Sequence, residues 1–320
     1  MTTILVTGGA GFIGSNLADR LLAEDHRVIA VDDLSTGRIA NLGDARSYGK
    51  AYTFFNMDVR AGGLLSLFER HRPEIVYHLA ALTHVGDSWA DPAAVFRVNI
   101  DGTAHVLDAA RAAGVRRVVV VGSAEEYGRV EPADLPLRED APLRPSTPYG
   151  VSKIAASYLA LQAHIAHGLD VVRVRPFSHT GPGQTDRFLV PGLAARIAAA
   201  EVTGAEEIRV GNLDPVRDVS DVRDIVRAYR LLADRGAAGE VYNVCSGTGV
   251  AVRDIADRLV GSARTPLRLT IDPELVRPVE VPRLVGDASR LRAATGWSPE
   301  ISLADTLAAV LDDARDRVAR

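Results

Sequence analysis

The stretch Thr3-Ile-Leu-Val-Thr-Gly-Gly-Ala-Gly-Phe-Ile-Gly14 decides how the chain folds. A short β-branched run enters a glycine-rich turn that satisfies both Gly-x-x-Gly-x-x-Gly and, from Gly9, Gly-x-Gly-x-x-Gly. An amphipathic stretch, Phe12 to Ala23, follows at helical spacing, and a second β run, Arg27 to Asp32, follows that. Strand, glycine turn, helix and strand in this order form a mononucleotide-binding βαβ unit. Glycines bend the turn and admit a pyrophosphate against the backbone, while the helix start offers unpaired N–H groups and a positive dipole end. Gly8, Gly11, Phe12, Ile13 and Gly14 are therefore expected to hold a dinucleotide.

Outward from this unit the same rhythm continues. Further strands are expected at Thr53 to Asn56, Ile75 to His78, Arg117 to Gly122 and Val171 to Arg175. Crossover helices are expected at Gly62 to Arg70, Pro92 to Ala113 and Tyr149 to His167. Alternation of this kind predicts an α/β fold, a Rossmann-type doubly wound parallel sheet. After Arg175 the breakers Pro176, Gly181, Pro182 and Gly183 end the alternation, and a smaller C-terminal substrate-binding lobe is expected. A strand at Glu240 to Asn243 and a helix at Asp218 to Ala233 suggest that the chain revisits the first lobe. The expected division is 1–176 with about 213–246 for the dinucleotide domain, and 177–212 with 247–320 for the second lobe.

Composition narrows the partners. With 320 residues, 47% apolar and 24% charged, the chain can bury a large core. Its 37 basic and 41 acidic residues are scattered without long runs of one sign, so neither nucleic acid nor an anionic membrane is an expected partner. The one cysteine, Cys245, lies in an apolar run and reads as a buried strand residue. Thr3 to Thr7 is neither a signal peptide nor a membrane span, which predicts a cytoplasmic protein. No metal is called for.

The second β run ends in Val31-Asp32-Asp33, where a carboxylate meets the ribose hydroxyls of an adenosine. Asp32 is the expected ribose reader, with Asp33, Ser35 and Thr36 beside it. A cofactor with a 2′-phosphate would bring a dianion close, and two unit charges about 4 Å apart repel by roughly 4 kcal/mol at an effective dielectric near 20. NAD is therefore expected over NADP. The alternative is that both aspartates merely open the loop Leu34 to Arg38, in which Arg38 could serve a phosphate.

Nearly every basic residue is arginine; only Lys50 and Lys153 are lysines. Lys153 follows Tyr149 by four residues, so on a helix the two share a face. A compact ammonium there can lower the phenol's pKa and bond a ribose, which a broad guanidinium does less well.

The glycine turn together with Tyr149-x-x-x-Lys153 resembles the extended short-chain dehydrogenase/reductases, the NAD-dependent epimerase/dehydratase family of nucleotide-sugar enzymes. The resemblance covers essentially the whole chain. It implies that Ser123 bonds the substrate oxygen, that Asp58 and Val59 flank the adenine, that Leu79, Ala80, Ala81 and Pro176 line the cofactor, and that Asn99 is structural. It likewise implies substrate contacts at Thr83, His84, Ser178, His179 and Val190, and a homodimer paired through helices 92–113 and 149–167.

The second half is most similar to GDP-4-keto-6-deoxy-mannose reductases in Arg175 to Gln184, Val210 to Asp218, Val241 to Gly247 and Asp272 to Pro282. Arg217 and Arg277 would then hold a diphosphate and Glu280 a ribose, consistent with an arginine fork on phosphate and a carboxylate on a diol. Ser178 stands where that branch has asparagine. Val31 to Gly37, by contrast, resembles the cofactor loop of 4-epimerases and dehydratases that retain NAD. Glu125 matches the glutamate that removes the C5 proton in 4,6-dehydratases, while Ala124 lacks the acid that assists at C6. The expected function is NAD(H)-dependent redox chemistry at C4 of a nucleotide-diphosphate sugar, of GDP-mannose type. A 4-epimerase or 4,6-dehydratase is the alternative, and a non-catalytic dinucleotide sensor is the alternative of another class.

Overall fold

The computed structural model describes residues 1–275 and 281–319. Thirteen strands occur among them: β1 Thr3–Thr7, β2 Arg27–Asp32, β3 Tyr52–Asn56, β4 Ile75–His78, β5 Arg117–Val121, β6 Val171–Pro176, β7 Ser178–Thr180, β8 Glu207–Val210, β9 Val216–Asp221, β10 Val241–Val244, β11 Gly249–Ala251, β12 Arg268–Ile271 and β13 Arg283–Leu284. Seven form one parallel sheet in the order β10-β6-β5-β4-β1-β2-β3. The order reverses between β1 and β4, and ligands of such sheets bind beyond the carboxyl ends of the strands at that reversal. The glycine turn leaves β1 at that place.

Because both faces of the sheet are covered, its strands are nearly continuous apolar runs, as in Arg117–Val121, where the four valines are buried. Helices Phe12–Ala23 and Val222–Arg235 close one face around Val6, Leu17, Ile225 and Tyr229. Helices Leu64–His71, Gly102–Ala112 and Pro148–His167 close the other around Leu5, Phe68, Val106 and Ala160. A third core, holding Leu193, Ile197, Ile255 and Leu311, is built by helices Leu189–Thr203, Val252–Gly261 and Leu303–Val318. A small sheet centred on β9 joins β7, β11 and β13, and β8 pairs with β12.

Two expectations change. The helix expected from Asp218 begins only at Val222: residues 216–221 are a strand paired with β7, β11 and β13. Asp221 instead caps the helix, accepting the Arg223 N–H at 2.8 Å. The helix expected from Pro92 to Ala113 runs from Pro92 to Ala112 but contains a π turn at Arg97–Asp101. That extra residue per turn swings Asn99 inward, where its amide accepts from Leu82 N at 2.8 Å and donates to Leu82 O at 3.1 Å and to Ser152 Oγ at 2.9 Å. Cys245 is fully buried, one residue past the end of β10.

Candidate active site

The glycine turn is shaped by contacts that exclude side chains. Gly8 has φ +69 and donates to Val31 O at 2.8 Å; a Cβ on Gly14 would stand 2.0 Å from Gly8 O. The helix that follows starts at Phe12 with Gly11 at its N-cap, no capping side chain and no acid in its first turn. The first turn of the helix, Phe12, Ile13 and Gly14, thus carries no acidic side chain of its own, which fits a pyrophosphate.

Asp32 ends β2 and is 7% exposed. Its carboxylate accepts from Ala10 N at 3.0 Å and from Leu34 N at 2.8 Å, so each oxygen keeps lone-pair capacity for a ribose hydroxyl. Burial pushes its pKa up, against those donors. Gly37, which sequence reasoning passed over, matters here: a Cβ on it would lie 2.6 Å from Asp32 Oδ1. Asp33 is exposed and turned back on Ser35, accepting from its N–H at 2.9 Å and its hydroxyl at 2.6 Å; Thr36 is exposed. Asp58, just past β3, is held below the usual carboxylate range by the Arg60 side chain, and Val59 is buried.

Past β4, Thr7 Oγ1 accepts the N–H groups of Leu79 and Ala80, both at 3.2 Å, which fixes the 79–81 segment against the glycine turn. His78 is sandwiched between Thr7 Oγ1 at 2.8 Å and Thr103 Oγ1 at 2.9 Å, and burial lowers its pKa to about 3. It is a neutral strut. Thr83 is exposed, and His84 caps helix Val85–Ala90. Asp87 in that helix binds Arg187 from the segment before helix Leu189–Thr203, at 2.6 Å.

Ser123 follows β5, its hydroxyl accepting from Glu125 N at 3.1 Å. Tyr149 and Lys153 lie in helix Pro148–His167, capped by Thr147, and are 7% and 5% exposed. The ammonium stands 5.9 Å from the phenol ring centroid. The phenol's titration differs from expectation. Burial pushes Tyr149 well up, a hydrogen bond from the Ser123 side draws it back, and Glu125 and Glu126 push it further. The Lys153 ammonium is committed elsewhere, donating to Val121 O at 2.8 Å, and burial lowers its pKa to about 8.

Pro176 ends β6, and Ser178 and His179 form β7. The His179 ring stacks parallel to Phe12 at 6.2 Å and its Nδ1 meets Phe177 O at 2.8 Å. Ser178 is exposed. Val190 is 5% exposed and packs within the third core. Arg217 lies in β9 with Nη1 donating to Val216 O at 3.0 Å, and Arg277 and Glu280 lie outside the described residues.

A buried polar network went unnoticed in the sequence. Arg175 on β6 binds Glu126 at 2.7 Å and Tyr127 OH at 3.2 Å; Tyr127 OH donates to Asn243 Oδ1 at 2.7 Å. Asp218 accepts from Ser246 N and Gly247 N at 2.8 and 2.9 Å. Charged residues within apolar β runs, as in Val171-Val-Arg-Val-Arg175, were the available signal.

Comparison with known proteins then places the chain. The sequence profile of GDP-mannose 4,6-dehydratase matches residues 5–310. It belongs to that family. Among relatives, the GDP-6-deoxy-D-mannose reductase of Pseudomonas aeruginosa is 40% identical over 248 residues, 77% of this chain and 82% of the relative. The structure of RMD from Pseudomonas aeruginosa complexed with NADPH superposes with a TM-score of 0.84 at 33% identity, covering 99% of this chain and 100% of the other. The Thermus thermophilus UDP-glucose 4-epimerase complex with NAD gives 0.86 at 30% identity, covering 98% and 99%. Members of the GDP-mannose 4,6-dehydratase family and its relatives thus share this Rossmann-type frame, whichever reaction each is named for.

Proposed function

We propose that the chain carries out NAD-dependent proton and hydride transfer at C4 of a nucleoside-diphosphate sugar. One observation carries the reading: Ser123, Tyr149 and Lys153 converge where the end of β5 meets helix Pro148–His167, on the carboxyl side of the sheet that also holds the uncapped glycine turn. When bound, the nicotinamide supplies or accepts the hydride at C4. Tyr149 holds and moves the proton at O4, Ser123 aligns that oxygen, and burial around both excludes water. The proposal includes a division into a dinucleotide domain (1–176 with about 213–246) and a sugar-nucleotide lobe (177–212 with 247–320), corrected in that Val216–Asp221 pairs with strands of the lobe. A GDP-linked 4-keto-6-deoxy sugar is the favoured substrate, on the resemblance of the second half to GDP-4-keto-6-deoxy-mannose reductases and on the 40% identity with the Pseudomonas aeruginosa GDP-6-deoxy-D-mannose reductase over 248 residues. Glu125, half-buried beside Ser123, keeps dehydration as the second reading. The test offers GDP-mannose and its 4-keto-6-deoxy derivative with and without NADH, and follows products by mass. Net NADH consumption supports reduction, a mass-neutral isomer an epimerase, and loss of water a dehydratase. No turnover and no binding of either sugar nucleotide would overturn the reading.

NAD over NADP is part of the same proposal, although one structural relative carries NADPH. The buried Asp32 carboxylate sits where a 2′-phosphate would come, with no second charge recruited to neutralise it among its bonded partners. Asp32→Ala should weaken NAD binding and narrow its preference over NADP in direct titration. Equal affinities in the unaltered protein would refute the assignment.

Helix Pro148–His167 also shows Val151, Tyr158 and Ile165 on its surface, 43%, 54% and 73% exposed and seven residues apart. Such a stripe suits a helix-to-helix contact between two copies. A homodimer is expected in light scattering, and Ile165→Glu should shift it toward monomer.

A further inference from the structure

Of the two adjacent glutamates after Ser123, the one that reaches no solvent has no role in the chemistry above. Glu126 is fully buried, and one of its oxygens accepts the Ser123 N–H at 3.0 Å while the other binds Arg175 Nε at 2.7 Å. Ser123 and Glu126 together form a capping box for the short turn at Ala124–Glu126. Gly122 makes room for this: a Cβ there would lie 2.1 Å from Glu126 Oε1. Two residues before Ser123, Val121 O receives the Lys153 ammonium. The backbone from 121 to 123 is therefore gripped at one end by the lysine and at the other by the glutamate.

A buried ion pair is seldom kept for stability, since apolar replacements of similar volume are often neutral or better. We propose that Glu126 is the positioning residue of this site: with Arg175 it fixes the Ser123 main chain, and it does so as a buried carboxylate on the same three-residue span whose other end, Val121 O, receives the Lys153 ammonium. The inference rests on the functional reading only for its effect on turnover. Its effect on Lys153 stands alone.

The surrounding charges agree with this assignment. Lys153 faces Glu126, the Tyr149 ring, Val121 O and the neutral His78; burial works against its charge and Glu126 works for it. Glu126 faces Arg175 and Arg173 from β6, Lys153 from its helix and the Ser123 N–H; burial raises its pKa and Arg175 leads the groups that draw it down. Tyr149 feels Glu125 and Glu126 together.

The chain has only two lysines, so its side-chain titrations can be resolved one by one. The full-length protein labelled with 13C at lysine Cε should give two resonances, and a Lys50→Arg variant identifies that of Lys153. Lys153 in the unaltered protein is expected to titrate near pH 8. Glu126→Gln keeps an acceptor for Ser123 but removes the charge, and Lys153 should then bind its proton at least tenfold more weakly, in keeping with shifts of a unit or more produced by a neighbouring charge. Glu126→Asp should restore most of that affinity. Since Glu126→Gln strands the Arg175 charge, Glu126→Gln with Arg175→Gln provides a neutral pair of similar shape, and Lys153 should again titrate below the unaltered protein. In turnover, the falling limb at high pH should follow Lys153 in each variant, because the ammonium is the form required, with kcat affected more than KM. Lys153 titrating unchanged in both the single and the double variant would overturn the proposal. A shifted Lys153 in a protein that turns over no sugar nucleotide would uphold it and defeat the functional reading instead.

Discussion

Turnover of the correct sugar nucleotide by Tyr149→Phe should fall by roughly a hundred- to ten-thousand-fold, the usual contribution of a general acid–base group. The phenyl ring keeps the packing of a side chain that is 7% exposed, so the change removes little besides the hydroxyl. Cofactor binding should survive. Because burial, aided by Glu125 and Glu126, pushes this phenol up, its hydroxyl is protonated at neutral pH in the ligand-free protein and is ready to donate to O4 in the reductive direction. Lys153→Met should impair both turnover and cofactor affinity, since the ammonium that now serves Val121 O is placed to serve a ribose as well. Steady-state kinetics and NADH titration separate the two. Near-full activity in Tyr149→Phe would remove the proton-transfer role from this residue.

The second large effect concerns Gly14→Ala. An added methyl would meet Gly8 O at 2.0 Å, Gly8 C at 2.8 Å and Gly9 Cα at 2.9 Å, all backbone atoms that cannot rotate away. Relief requires the helix to move off the strand or the turn to open. Overpacking of this kind costs about 1–3 kcal/mol, and the upper end corresponds to roughly a 150-fold loss in an equilibrium constant. The loss should appear in dinucleotide affinity by titration and as a lower unfolding midpoint. A variant that binds NAD normally would show that the turn yields more easily than these contacts imply.

What the sequence made visible was whatever rested on local patterning. The limits of Arg27–Asp32 and Ile75–His78 coincide with expectation, and so does helix Phe12–Ala23, because apolar period and glycine punctuation act within a few residues. Tyr149 and Lys153 sharing a face followed from helical geometry alone. The misread segment at Asp218 shows the other regime. Residues 216–221 become a strand through partners at 178–180, 249–251 and 283–284, and no local property of Val-Arg-Asp-Val-Ser-Asp encodes those distant pairings. The phenol's upward shift and the commitment of Lys153 to Val121 O likewise depend on burial created by the assembled fold. Glu126 is illegible for the same reason: its neighbours in the sequence do not show that it is buried, and only the arrival of Arg175 from β6 sets it apart from Glu125.

The route of the chain through the main sheet has a consequence for biosynthesis. β6 ends at Pro176, yet its outer neighbour β10 begins only at Val241. At about 5–20 residues per second, a ribosome needs roughly 3–13 s to make the intervening segment. During that interval β6 is an unpaired edge, with the face later covered by Val222–Arg235 open as well. The nascent protein therefore passes through a stage with a six-stranded sheet and one unguarded flank, during which chaperone capture or pairing with another nascent chain competes with completion. Slower translation across 177–240 would lengthen that exposure, and release of a product truncated before Val241 would make it permanent.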